Sequence, residues 1–179
     1  MRAPARRTLA GLRALMQETF RQTAILASVA IVFVVRPSPL HAQDWTAFGI
    51  REAGFTFAVP PGFSPDQRAD DGQAATFEGP AGAFLSVRGD RLSGQNFRGA
   101  IEAQMAQDES EGWNLTYRRL TDDWASYSGV KDGLIRYVRA IAICNDRAAV
   151  FQMDYSRSDK IAYDPIVVRM VKSLAAEGC

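Results

Sequence analysis

The chain has 179 residues, 47% of them hydrophobic and 23% charged, with 21 basic and 20 acidic side chains. That length and composition suit a folded chain with an ordinary core and exclude a disordered or strongly basic polypeptide. The near balance of charge is local in origin, because six of the basic residues and one of the acidic ones fall in residues 1–42; residues 43–179 carry 15 basic and 19 acidic side chains, a net charge of −4, which gives no electrostatic reason to expect nucleic-acid binding.

Residues 1–42 read as a signal peptide. Arg2, Arg6, Arg7, Arg13 and Arg21 form a basic region, Ala24 to Val35 is small or apolar, and "PSPLHA" ends on Ala42 at the expected cleavage position. The apolar run falls well short of the ~20 residues that span a bilayer. The expected location is therefore the periplasm, with an uncleaved N-terminal anchor as the rival reading. Residues 43–179 are expected to form a single α+β domain without a transmembrane segment.

In chain order, Trp45, Phe48 and Ile50 form a short strand or lead-in, and Phe55, Phe57 and Val59 alternate along a strand that Pro60, Pro61 and Gly62 stop. Ser64 to Gly72 is polar and reads as a loop. "QAATFEG" and "GAFLSVRGDRL" read as a hairpin turning at Gly79–Gly82. A helix is expected from an Asn96 cap to about Ser110, with Phe97, Ala100, Ile101, Gln104, Met105 and Asp108 near one side. From Trp113 to Tyr155, strand-like blocks are separated by Thr121–Asp123, Val130–Gly133 and Asn145–Arg147, the pattern of an antiparallel meander. In the longest block both faces are apolar, one interrupted by Arg139 and the other by Arg136, which marks a central strand covered on both sides. Asp164 as cap and Pro165 in the first turn predict a closing helix carrying Ile166, Met170 and Leu174 on one stripe.

The absences limit the chemistry. The sole histidine, His41, belongs to the expected signal segment, so residues 43–179 contain no Ser-His-Asp arrangement and no histidine ligand for zinc. No nucleophile elbow, phosphate loop or dinucleotide fingerprint is present, and no cofactor or metal site is expected. Carboxylate chemistry would have to come from Asp70 with Asp71, Asp122 with Asp123, or Asp108, Glu109 and Glu111, all in expected loops or helix ends where acids are ordinarily solvated. The two cysteines, Cys144 and Cys179, are disulfide candidates in an oxidising compartment. The Arg-Gly-Asp tripeptide at 88–90 is too short to carry weight.

The candidate binding residues are Tyr127, Arg136, Tyr137 and Arg139. Two arginines interrupting apolar strand faces must reach an edge, pair with an acid such as Asp154, or line a cavity. With neighbouring tyrosines they would suit a peptide, an envelope protein or a small anionic molecule.

The order of elements, with "FTFAVPPGF", "WASYSGVKDGLIRYVRA" and "MDYSRSDKIAYDPIVVRMVKSL", resembles the PsbP/Mog1-like proteins, and within them small exported alphaproteobacterial proteins. The resemblance implies an α/β/α sandwich with a central curved antiparallel sheet and helices on its faces. It implies a family of photosystem subunits, small-GTPase regulators and binding proteins, with no functional motif that transfers to these residues. The expected function is a non-enzymatic periplasmic binding or accessory protein; the alternative is a carboxylate-dependent hydrolase acting on an extracytoplasmic substrate.

Overall fold

A computed structural model describes residues 44–69, 71–144 and 146–178. The expected signal segment 1–42, Asp70 of the acid pairs and Cys179 lie outside the described residues.

The meander forms as the punctuation implies. Strands β6 (Asn114–Leu120), β7 (Trp124–Lys131), β8 (Leu134–Ile143) and β9 (Arg147–Ser156) follow one another antiparallel, and the chain enters them from β3 (Ser64–Arg68), β4 (Ala74–Glu78) and β5 (Phe84–Arg91). The seven strands make one sheet in the order β3-β4-β5-β9-β8-β7-β6, with β9 and β8 near its centre and β6 at one edge. A second sheet of three strands, β1 (Thr46–Ile50), β2 (Phe55–Val59) and the two-residue β10 (Ala175–Ala176), lies in the order β1-β2-β10.

Each face of the large sheet has its own apolar layer. Helix α1 (Phe97–Ser110) brings Phe97, Ile101 and Met105 against Tyr127, Val138, Ala140 and Val150. On the opposite face, the small sheet and helix α2 (Lys160–Ser173) pack Phe55, Phe57, Tyr163, Val167 and Met170 against Phe77, Leu85, Phe151 and Met153. Burying the alternate residues of β8 on two faces is what makes that strand read as apolar throughout.

Asn96 caps α1 as expected, accepting from the Gly99 amide at 2.8 Å. Two expectations are corrected. Ser64–Arg68 is a strand, not a loop: it is exposed along its whole length, so no apolar alternation marks it, and it is held as an edge by β4, aided by Thr76 Oγ1 accepting from the Gln67 amide at 3.2 Å. Helix α2 begins at Lys160, after a short 3-10 turn, so Pro165 lies inside the helix rather than in its first turn. The earlier start carries Tyr163 into the core, where its ring stacks on Tyr155 at 4.8 Å and its hydroxyl donates to the Pro80 carbonyl at 2.9 Å. Those contacts offset the loss of one helical hydrogen bond at the proline.

The cysteine expectation is also corrected. Cys144 is the one cysteine among the described residues, so the expected Cys144–Cys179 bridge is no part of the described structure. Cys144 itself is not a free thiol. It follows the last residue of β8, with φ of 46°.

Gly89 shows why the Arg-Gly-Asp tripeptide is not a displayed loop. It sits mid-strand in β5, with Arg88 Nε bonded to Asp90 at 2.8 Å, and a Cβ at Gly89 would come 2.4 Å from the Cβ of buried Ala53. Gly89→Ala is expected to lose about 1–3 kcal/mol through overpacking, read as a lower urea midpoint with an unchanged slope.

Candidate functional site

The alternation of β8 sends its two arginines to opposite faces, and their surroundings differ. Arg136 points toward α1. Its Nη1 donates to Asp108 at 2.7 Å, and its Nε and Nη2 donate to both oxygens of Asp154 at 3.0 and 2.8 Å. The guanidinium carbon lies 4.1 Å from the Trp113 ring centre. Asp108, 5% exposed on the inner side of α1, also accepts from the Tyr127 hydroxyl at 2.6 Å. Burial pulls the Arg136 pKa down, but the hydrogen bonds and charges of Asp154 and Asp108 outweigh it, so the net shift is upward. Burial and the Asp108 hydrogen bond push the Tyr127 hydroxyl far above its ordinary range. Tyr127 and Arg136 thus belong to a closed network that locks α1 to the sheet.

Arg139 and Tyr137 face the other way, onto a part of the sheet near its β6 edge. The register aligns two cross-strand rows there: Tyr117, Ser128 and Tyr137 in one, Arg119, Ser126 and Arg139 in the next. Small serines on β7 between large residues on β6 and β8 make a shallow trough of the sheet surface, about 10 Å or two strand spacings across, whose floor at Ser126 is covered by the larger side chains, leaving it 3% exposed. Trp124 closes one end, with both guanidiniums on its ring, Arg139 at 4.5 Å and Arg119 at 5.1 Å from the centre. Tyr117, 45% exposed, and Arg119 keep this side open to solvent.

No carboxylate neutralises Arg139 among the described residues. Its Nη1 donates to Ser126 Oγ at 3.1 Å, while its buried Nε has no acceptor. Burial lowers the Arg139 pKa, and the charges of Tyr137, Tyr117 and Asp123 do not make up the difference. Burial likewise raises the Tyr137 phenol, with Ser126 and Arg139 pulling the other way. Of the four predicted residues, the structure brings Tyr137 and Arg139 together and sets Tyr127 and Arg136 apart, one sheet thickness away. Sequence reasoning missed Tyr117, Arg119, Trp124 and Ser126 as their companions. The available signal was the alternation of "TYRR" and "WASYS", but the pairing of those blocks depends on a β-bulge between Leu115 and Tyr117 that no local pattern announces.

The acids named as hydrolytic candidates are largely engaged elsewhere. Asp108 is held by Tyr127 and Arg136, Glu109 pairs with Arg118, and Asp122 is a solvated surface residue within 3.3 Å of Arg98. Among the described residues no group of three or more acids, cysteines or histidines is placed to hold a metal ion, and no helix is long and apolar enough to cross a membrane.

No protein-family model and no curated protein matches the chain. Among solved structures, cyanobacterial PsbP (CyanoP) from Synechocystis sp. PCC 6803 superposes with a TM-score of 0.55 over 78% of this chain and 96% of that one, at 12% identity. The fold is PsbP/Mog1-like. A protein of unknown function from Pseudomonas aeruginosa, PA94, described as a putative regulator, is 18% identical over 75% of this chain and 99% of its own, with a TM-score of 0.48. A Bacteroides thetaiotaomicron VPI-5482 structure is 12% identical over 69% of this chain and 45% of its own, with a TM-score of 0.40. At these identities the PsbP-like likeness concerns the architecture alone. The mixed α+β architecture, with two sheets and flanking helices, agrees with what the family resemblance implied.

Proposed function

We propose that the protein is a non-enzymatic binding or accessory protein of the periplasm, and that its ligand or partner seats on the open trough of β6, β7 and β8 against Tyr137 and Arg139. The observation that carries this reading is Arg139 itself. A half-buried guanidinium without a carboxylate costs stability that its neighbour on the same strand does not cost, because Arg136 is matched by two acids. An unmatched cation beside exposed aromatics is the arrangement of a surface completed by something else. The engaged state of Asp108 and Glu109 leaves the hydrolase alternative without a specific observation in its favour.

The test is capture from an envelope extract with the full chain as bait. Wild-type protein is expected to retain a species that Trp124→Ala and Tyr137→Ala retain at least tenfold less, whereas Arg98→Ala, on the opposite side, retains it fully. Equal retention by all variants would show that the trough is not the binding face.

A further inference from the structure

The trough does not end at Tyr137. On its other side the same ring lines a groove of about 420 Å³ between the sheet and α2, walled by Tyr155, Val167, Val168 and Val171, with Asp164 and Lys172 at the rim. Val168 is 53% exposed there, an apolar side chain left facing solvent beside a cavity of ligand size. Tyr137 and Arg139 are two residues apart on one face of β8, roughly 7 Å along the strand. A cationic end and an apolar groove therefore adjoin through one shared phenol.

Two guanidiniums lie against the one Trp124 ring at the cationic end, Arg139 at 4.5 Å and Arg119 at 5.1 Å from its centre, and neither has an ion-pair partner among the described residues. The Nε of Arg139 lacks an acceptor, and the surrounding hydroxyls of Ser126 and Tyr137 are neutral at physiological pH. An oxyanion seated against these arginines would supply the missing charge, and planar guanidinium forks favour oxyanions as partners. From these observations we propose that the face recognises a small amphipathic acid, its carboxylate or phosphate on Arg139 and Arg119 and its apolar body passing Tyr137 into the groove under α2. This deepens the binding reading above and rests on it.

Four probes titrated into the full chain separate the parts: decanoate, decyl phosphate, decanol and inorganic phosphate, each below its micellar concentration, followed by calorimetry and by tryptophan emission. At low salt, at least one acidic amphiphile is expected to bind tenfold or more tightly than decanol and than inorganic phosphate, and the preference is expected to shrink as salt rises. Which of decanoate and decyl phosphate binds more tightly identifies the acid. Arg139→Gln is expected to reduce that acid to the affinity of decanol while leaving decanol unchanged, and Val168→Asp to weaken decanol and the acid alike. Urea midpoints at or above wild type would show that Arg139→Gln is folded; Arg139→Lys, which keeps the charge, provides a second variant with intermediate affinity expected. Decanol binding as tightly as the acids, or Arg139→Gln binding them like wild type, overturns the proposal. If no amphiphile binds while Trp124→Ala still abolishes capture from the extract, the amphipathic-acid proposal fails and the binding face stands; if capture is also indifferent to Trp124, both fail.

Discussion

Arg136→Met is expected to destabilise the protein by about 3–5 kcal/mol, because it strands two carboxylates that were folded against one cation. Asp108 is only 6% exposed at its side chain and Asp154 17%, so water replaces the lost guanidinium poorly. The methionine fills much of the volume over Trp113 and returns some apolar contact, but it offers no donor to either acid. Arg139→Met is the informative partner to this variant: it removes a cation with no ion-paired acid among the described residues, so its urea midpoint should equal or exceed that of wild type. Two arginines three residues apart on one strand should thus respond in opposite directions to the same substitution. A comparable loss from both would mean that Arg139 is neutralised in the folded protein, contrary to its hydrogen bonding.

Alkaline pH should unfold the protein through its tyrosines. Burial raises the pKa of Tyr127, Tyr155, Tyr137 and Tyr163; the Asp108 hydrogen bond adds to it at Tyr127, and the Asp164 charge adds at Tyr155, which is pushed up to about 12. In the unfolded chain these phenols ionise near pH 10. Above that pH the unfolded state holds fewer protons than the folded one, so stability is complete below pH 10 and falls as pH rises toward the folded values. Each tyrosine that stays protonated only when folded removes ~1.4 kcal/mol per pH unit, so Tyr127 should take away on the order of 1 kcal/mol between pH 11 and 12, and Tyr155, which itself titrates near the top of that window, less. Urea midpoints measured at pH 8, 10, 11 and 12 test this. A flat profile above pH 10 would contradict the packing of these rings, and Tyr155→Phe should make the profile shallower.

Local pattern carried the helix at Phe97–Ser110, because an Asn cap and apolar positions at helical spacing act within a few residues of one another. It failed at Ser64–Arg68, where no side chain is buried and only the hydrogen bonds of a neighbouring strand make the segment extended. It misplaced the start of α2 because Asp164-Pro165 is a good local start signal, and the long-range contacts of Tyr163 with Tyr155 and Pro80 overrode it. In the candidate site the two interrupting arginines and their tyrosines were visible in the chain, and so was Asp154 as a partner for Arg136. The second partner, Asp108, was visible only as a polar residue on the inner stripe of α1. Nothing in its own neighbourhood names an arginine 28 residues away.

What the amino-acid order determined by itself, then, was periodicity: which residues of β8 share a face, that both faces are covered, and that each covering face must accommodate one arginine. Strand alternation is a property of adjacent residues, so it survives without knowledge of the fold. Only the tertiary structure decided what each arginine meets. Helix α1 carries Asp108 to one face, and the register of β6 on β7 carries Trp124, Arg119 and two serines to the other, leaving Arg139 without an acid. Charge matching acts through space between segments far apart in the chain, and that is why one arginine became a structural tie and the other a candidate for recognition.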